Sequence, residues 1–255
     1  MYNKTAGDKI NKPKKQREEV ISTLEKLGGI ATLGQLYQNV DVSKWKTKTP
    51  FASIRRIVQN YKYFFKVKPG LWALISHKEK ISRLIPLEKN KSKEEELFNH
   101  SYYQGLLVEI GNLKGYQTFI PNQDKNKKFL TKTLGIVSTL QQIYSFTYPE
   151  ILRRAQTVDT IWFNERKFPF AFFEVEHSTE FQNSLGKYFD LQDFNSKFYI
   201  VAHTSRMRYY EHIINRGIFK EIKSKVSFIN YETISNWHSN PLSYTKFKKV
   251  FYYKE

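Results

Sequence analysis

Residues 157–177 read TVDTIWFNERKFPFAFFEVEH, and no other stretch limits the possible folds as sharply. Two β-branched and aromatic runs flank Asn-Glu-Arg-Lys, a polar break suited to a turn, so the segment reads as a β-hairpin. Strand side chains alternate faces, which puts Glu174 and Glu176 on the side of Phe170 and Phe172, about 7 Å apart. Ala171, Phe173 and Val175 take the other side. Asp159 interrupts Val158, Ile161 and Trp162 on the first strand. Three carboxylates on one apolar hairpin repel each other and lose hydration, unless a cation joins them. Oxygen ligands of that kind suit a hard cation such as magnesium. Paired glutamates on a strand are more often the wet face of an edge hairpin, but these flanks are too aromatic for a free edge.

Charge sharpens the contrast. The chain of 255 residues carries a formal charge of +18, of which residues 1–90 hold +12 (19 basic, 7 acidic) and the remainder +6 (23 basic, 17 acidic). An acidic focus inside a basic protein suits metal-dependent cleavage of a polyanion, with the surface holding phosphates. Hydrophobic content of 40% argues for a folded chain. Cysteine is absent, which excludes disulfides and thiolate zinc sites, and the six histidines show no metal-ligand spacing. Without a long apolar run or a leader-like N-terminus, membrane insertion and secretion are not expected, and a cytoplasmic location follows.

In chain order, residues 1–16 read as a basic arm. REEVISTLEKLGG, ATLGQLYQNV and TPFASIRRIVQN predict three helices, the last capped by Thr49 with Pro50 at its first position. YKYFFKVKPGLWALI predicts a hairpin about Pro-Gly. Three helices and a hairpin are the order of a winged helix. Charge-dense residues 77–97 read as a linker, part of which suits a short helix. FNHSYYQGLLVEIGNLKG then predicts a helix ended by Gly115, and YQTFIP a strand. GIVSTLQQIYSF is ambiguous and is broken by Pro149. After the acidic hairpin come a helix over EFQNSLGKYFDLQDF, a strand over KFYIVAH, a helix over SRMRYYEHIINRG and a strand over KVSFINYETI. Residues 240–255 predict a strand or a DNA-facing tail. The expected class is α/β (α+β): a winged helix at 17–76 and a mixed sheet flanked by helices at 98–255.

TPFASIRRIVQ followed by GLWAL resembles the HARE-HTH type of winged helix, often attached to restriction enzymes and chromatin factors. In that resemblance Arg55 and Arg56 lie on the DNA-facing helix, with Lys44, Lys46 and Lys48 in the loop before it. The ordered set HSYYQGLLVEIGNLKGYQTFIPN, TVDTIWF, AFFEVEHST, LGKYFDL, FYIVAHTSR and VSFINYE resembles the PD-(D/E)XK nuclease superfamily, within it bacterial restriction endonucleases of an E-x-E type. The resemblance makes Asp159 the motif aspartate and, with 14 residues between them, Glu174 the second ligand of Mg2+ (or Mn2+), with the Val175 carbonyl a third. Glu176 stands where the superfamily most often has lysine. Lys187, one helix later, is a candidate to supply that positive charge, and Glu109 a candidate for the acidic residue some relatives contribute from their first helix. His177, on the opposite face from Glu176, is given a structural role, and Asn122 and Asp124 touch DNA or nothing.

What the resemblance implies is a type II restriction enzyme: a sequence-specific double-stranded DNA endonuclease leaving 5′-phosphate ends, with a matching DNA methyltransferase as functional partner. One metal site cuts one strand at a time, so double-strand cleavage needs a homodimer on DNA or successive nicks. A DNA-binding regulator with an inactive nuclease fold, or a nuclease directed at modified DNA or at RNA, stands as the alternative. The three intact carboxylates argue against the inactive regulator.

Overall fold

The structure is a computed structural model that describes residues 15–85, 93–177 and 180–240. The expected basic arm, apart from its last two residues, and the expected C-terminal strand or tail beyond Asn240 lie outside the described residues. Helix α1 (Gln16–Lys26) ends at Gly28 and Gly29, both at positive φ, as the Gly-Gly stop predicts. Next comes β1 (Ile30–Thr32), a short strand where the sequence pattern suggests the start of a helix. Thr32 closes it and caps α2 (Leu33–Asn39): its hydroxyl accepts from Gln35 N–H and the Gln35 side chain accepts from Thr32 N–H, each at 3.1 Å. Helix α3 (Pro50–Val58) has proline at its first turn, but Thr49 makes no side-chain cap, contrary to expectation. The hairpin β2 (Phe64–Lys68) and β3 (Leu71–Leu74) completes a three-stranded sheet in the order β1-β3-β2, all antiparallel.

Both faces of this small sheet are covered. Ala31, Phe64, Trp72 and Leu74 face α1, α2 and α3, while Ile30, Leu71 and Ala73 join the core of the C-terminal unit. Strand alternation splits the two sets. The turn at Gly70 (φ +76) lies so close to the last described helix that a Cβ would come within 2.8 Å of Ser239 Oγ. Helix α4 (Lys78–Leu84) lies in the stretch read as a linker, yet Ile81 and Ile85 are buried in that shared core.

The C-terminal unit starts with the long helix α5 (Lys93–Leu113) and β4 (Gln117–Phe119). A small hairpin, β5 (Lys128–Phe129) and β6 (Lys132–Thr133), leads to the single turn α6 (Leu134–Val137). Pro149 does not break a helix but opens one, α7 (Pro149–Ala155), because its fixed φ and missing N–H suit a first turn. Strands β7 (Thr160–Phe163) and β8 (Pro169–Glu176) form the predicted hairpin; Asn164 Oδ1 accepts from Arg166 and Phe168 N–H in the turn. Then follow α8 (Phe181–Asp190), β9 (Lys197–Ala202), α9 (Met207–Ile214), β10 (Val226–Asn230) and α10 (Tyr231–His238). Tyr231–Ile234, read as strand, are helical: Asn230 Oδ1 accepts from Thr233 N–H at 2.8 Å and caps α10.

The five strands run β10-β9-β8-β7-β4, parallel from β10 to β8 and antiparallel from β8 to β4, a mixed sheet as expected. Helices α5 and α10 cover one face, and α7, α8 and α9 the other. At Gly105 helix α5 lies against the Phe129 ring, leaving no room for a side chain. Among the described residues no helix is long and apolar enough to cross a membrane.

Candidate active site

The site grows from a mismatch in strand length. The β7–β8 ladder stops at Thr160 opposite Phe173, so the last residues of β8 continue without their antiparallel neighbour and pair only with β9. Asp159, just before β7, folds into the space: its Oδ2 accepts from Val175 N–H at 2.7 Å and contacts His100 Nε2 at 3.1 Å. Both bonds fall on Oδ2, which leaves Oδ1 for another partner. In an extended strand the N–H and C=O of one residue point to the same edge, so the Val175 carbonyl also faces the Asp159 side.

Helix α8 closes the other wall. Glu174 and Glu176 are 3% and 5% exposed, a burial that carboxylates tolerate only with partners. Lys187 Nζ lies 2.9 and 3.0 Å from the two Glu174 oxygens and donates to the Thr157 carbonyl at 2.8 Å. Ser184, one turn earlier on the same helix face, donates its hydroxyl toward Glu174 Oε2 at 3.1 Å and also touches Glu176 Oε1. One hydroxyl hydrogen is thus shared by two carboxyl groups, which leaves the buried pair short of donors.

The electrostatics agree. Burial, then the Asp159 charge, push the Glu174 carboxyl well above its ordinary range, and Lys187 only partly offsets them. Burial would also raise Asp159, but the His100 hydrogen bond and charge, the Val175 N–H and Lys187 outweigh it and hold Asp159 below its ordinary value. Burial would lower His100; the bond and charge of Asp159 overcome that and raise it. A raised folded-state pKa makes the His100 contribution to stability complete below about pH 6.5 and lost as pH rises through the folded value. The contribution of the depressed Asp159 is lost at the acid end, as pH falls through its own folded value. The ring of His100 is therefore expected to titrate above about 6.5 by NMR in the metal-free protein, and Asp159→Asn to bring it down. Titration at or below that ordinary value in the unmodified protein would remove the ion pair.

Asp159, Glu174, Val175, Glu176 and Lys187 thus line one cavity of about 350 Å³. Glu96, His100, Lys127, Asn183 and Ser184 line it too, and nothing in the motif pattern singles them out. A signal existed for some: His100 and Gln104 are four apart on an apolar helix, as Ser184 and Lys187 are three apart on α8. His177 lines the cavity too, yet keeps the face expected of it: its ring lies parallel to that of Tyr231 on α10, with Nδ1 3.4 Å from the Tyr231 hydroxyl, on the side of Val175 and away from Glu176. Among the described residues no three His, Asp or Glu side chains are gathered as a ready metal cage.

Other candidates lie elsewhere. Glu109 does not reach the cavity: nine residues beyond His100, about 14 Å along the helix, it accepts from Gln35 Nε2 at 2.8 Å and meets His238 Nε2 at 2.6 Å. It joins α2, α5 and α10 instead. Asp124 is buried, held by Gln104 at 3.0 Å and Lys127 at 2.6 Å, while Asn122 is exposed. Arg55, Arg56, Lys44, Lys46 and Lys48 lie on the surface of the N-terminal unit, Arg55 touching the Tyr37 hydroxyl at 3.3 Å.

A mixed sheet between helices, with carboxylates and a lysine gathered where its central strands end, defines an α+β protein of nuclease-like fold. The chain belongs to the family of the type II restriction enzyme NmeDI C-terminal domain, whose model matches residues 84–249. It is accordingly a restriction endonuclease, and DNA is the substrate its family implies. No curated protein and no solved structure matches the chain.

Proposed function

We propose that this restriction endonuclease hydrolyses phosphodiester bonds in double-stranded DNA, sequence-specifically and with a divalent metal, as a PD-(D/E)XK enzyme whose final motif residue is glutamate. The observation that carries the reading is the meeting of Asp159, Glu174 and Lys187 in one cavity, with Lys187 Nζ 2.9 Å from Glu174 Oε1. The donor set fits a hard cation: the buried carboxylate of Glu174, the half-buried one of Asp159 and the carbonyl of Val175 offer oxygen only. Asp159, Glu174 and Val175 would hold Mg2+ or Mn2+, which when bound supplies Lewis-acid stabilisation of the charge that builds on the phosphate.

The rest falls to side chains. His100 and the Val175 N–H fix Asp159 and leave its Oδ1 open. Lys187 keeps its second anchor, the Thr157 carbonyl, so its ammonium can turn from Glu174 toward phosphate and stay in place. That is the charge a lysine at position 176 would bring. Glu176, with Ser184 beside it, accepts the proton of the attacking water. The products are 5′-phosphate and 3′-hydroxyl ends. Incubating the full-length chain with phage DNA and magnesium, then mapping the ends, tests this: discrete fragments with 5′-phosphates are expected, and uncut DNA would overturn it.

Residues 17–76 act in this reading as a winged-helix DNA-binding domain, 77–97 as the connection and 98–255 as the nuclease domain. Arg55, Arg56 and the three loop lysines bind phosphates. Replacing Arg55 or Arg56 with Ala should weaken binding and reduce the log–log salt slope by about 0.9 for each phosphate no longer neutralised. An unchanged slope in both variants would take α3 off the DNA.

A further inference from the structure

Beside the catalytic cavity lies a second hollow of about 420 Å³, between the chain after β4, the loop at 141–143 and the end of α7. Asn122, Gln123, Gln141, Gln142 and Gln156 line it with carboxamides, and Thr157 adds a hydroxyl. None of its lining residues is charged, in a chain with 26% charged residues. The side chains of Asn122, Gln123, Gln142 and Gln156 are exposed and make no hydrogen bond among the described residues. The frame that carries them is tied down: Lys125 Nζ donates to the Gln141 carbonyl, Gln141 Nε2 to the Gly135 carbonyl at 3.2 Å, and Leu140 N–H to the Thr118 carbonyl at 2.9 Å. An unpaired set of amides on a fixed frame is a surface prepared for hydrogen bonds to something else.

Position and chemistry name that partner. Thr157 is shared between this hollow and the catalytic residues, since its carbonyl holds Lys187, and it stands two residues from Asp159, at most about 7 Å of chain. Adjacent nucleotides rise about 3.4 Å per strand, so DNA with its cut phosphate at Asp159 lays base pairs a few steps away over the hollow. A carboxamide presents a donor and an acceptor in one plane, the complement of adenine N6 and N7. Lys125 lies beside the hollow, and Arg153 and Arg154 line an adjoining one that shares Thr157, where neighbouring phosphates would compete with Glu150 and Asp190 for their guanidinium groups.

We propose that this carboxamide-lined hollow reads the edge of at least one A·T pair beside the cut, so that the nuclease unit itself, and not only the N-terminal unit, sets the sequence cleaved. The inference rests on the placement of the cut at Asp159. Asn122, Gln123, Gln142 and Gln156 are changed to Ala singly and together in the full-length chain, with thermal melts to show folding. Each protein is scored twice on randomised DNA: by sequencing cleaved ends with magnesium, and by binding selection in an Asp159→Ala background. Expected is a loss of about tenfold to a hundredfold in discrimination at a position the parent protein reads as A or T, in both assays. Unchanged preferences, uniform weakening at every sequence, relaxation only at G·C positions, or a parent protein that selects no sequence would each overturn the proposal. A parent that selects a sequence but cuts no DNA would defeat the endonuclease reading and leave the hollow's role standing.

Discussion

Asp159→Ala and Glu174→Ala are each expected to lower DNA cleavage by about three orders of magnitude or more, the loss of several kcal/mol of charge stabilisation. Binding should survive. Without metal it should tighten, because Asp159→Ala deletes a negative charge facing the phosphate and Glu174→Ala frees the Lys187 ammonium to meet it. The two variants will differ in the ground state. Asp159→Ala frees His100 and the Val175 N–H, whereas Glu174→Ala leaves Lys187 with the Thr157 carbonyl. Cleavage rates with magnesium titrations, gel-shift affinities without metal and circular dichroism measure all three effects. Cleavage at the unmodified rate by either variant would place the active site elsewhere.

Removing the ammonium is the second large effect. Lys187→Ala should cost about 10²–10³ in cleavage rate, the scale for deleting one preorganised electrostatic donor. It also leaves Glu174 buried without its counter-charge, so the carboxyl shifts further toward its protonated form and more magnesium is needed for half-maximal rate. Glu176→Lys alone places a second ammonium beside Lys187 and should also be impaired. Joined to Lys187→Ala, the same change returns one ammonium to the cavity and should recover activity above that of Lys187→Ala. A double variant no better than Lys187→Ala would show that Glu176 contributes something lysine cannot replace, and that Lys187 does not stand in for the superfamily lysine.

The N-terminal unit is not a separate bead on a string. Its sheet shares a core with α5, and Glu109 ties Gln35 to His238. The stretch that reads as a linker is buried at Ile81 and Ile85. Charge density in sequence suggests a tether; two isoleucines a turn apart decide otherwise, because their burial outweighs the exposure of the charges between them.

The acidic hairpin was legible in the sequence, because period-two alternation, aromatic content and an Asn-led turn are local properties that survive any tertiary context. So were most of the main helices and strands and the place of Glu174 and Glu176 on the second strand, whereas Asp159 lies just before the first strand and not on it. Errors fell where local signals compete. Pro149 reads as a breaker or as a helix start, and Tyr231–Ile234 suit a strand until Asn230 caps them. Which charged groups meet was beyond sequence. A lysine on an amphipathic helix is ordinarily solvated, and Lys187 is not, only because α8 lies across β8 and buries Glu174 beneath it. Glu109 and His100 share one helix, yet rise per residue sends one to the domain junction and the other to Asp159. Side-chain types and their spacing along each element were written in the chain; the pairing of charges across elements came from the packing of the sheet's two helical layers, which alone sets the distances on which those energies depend.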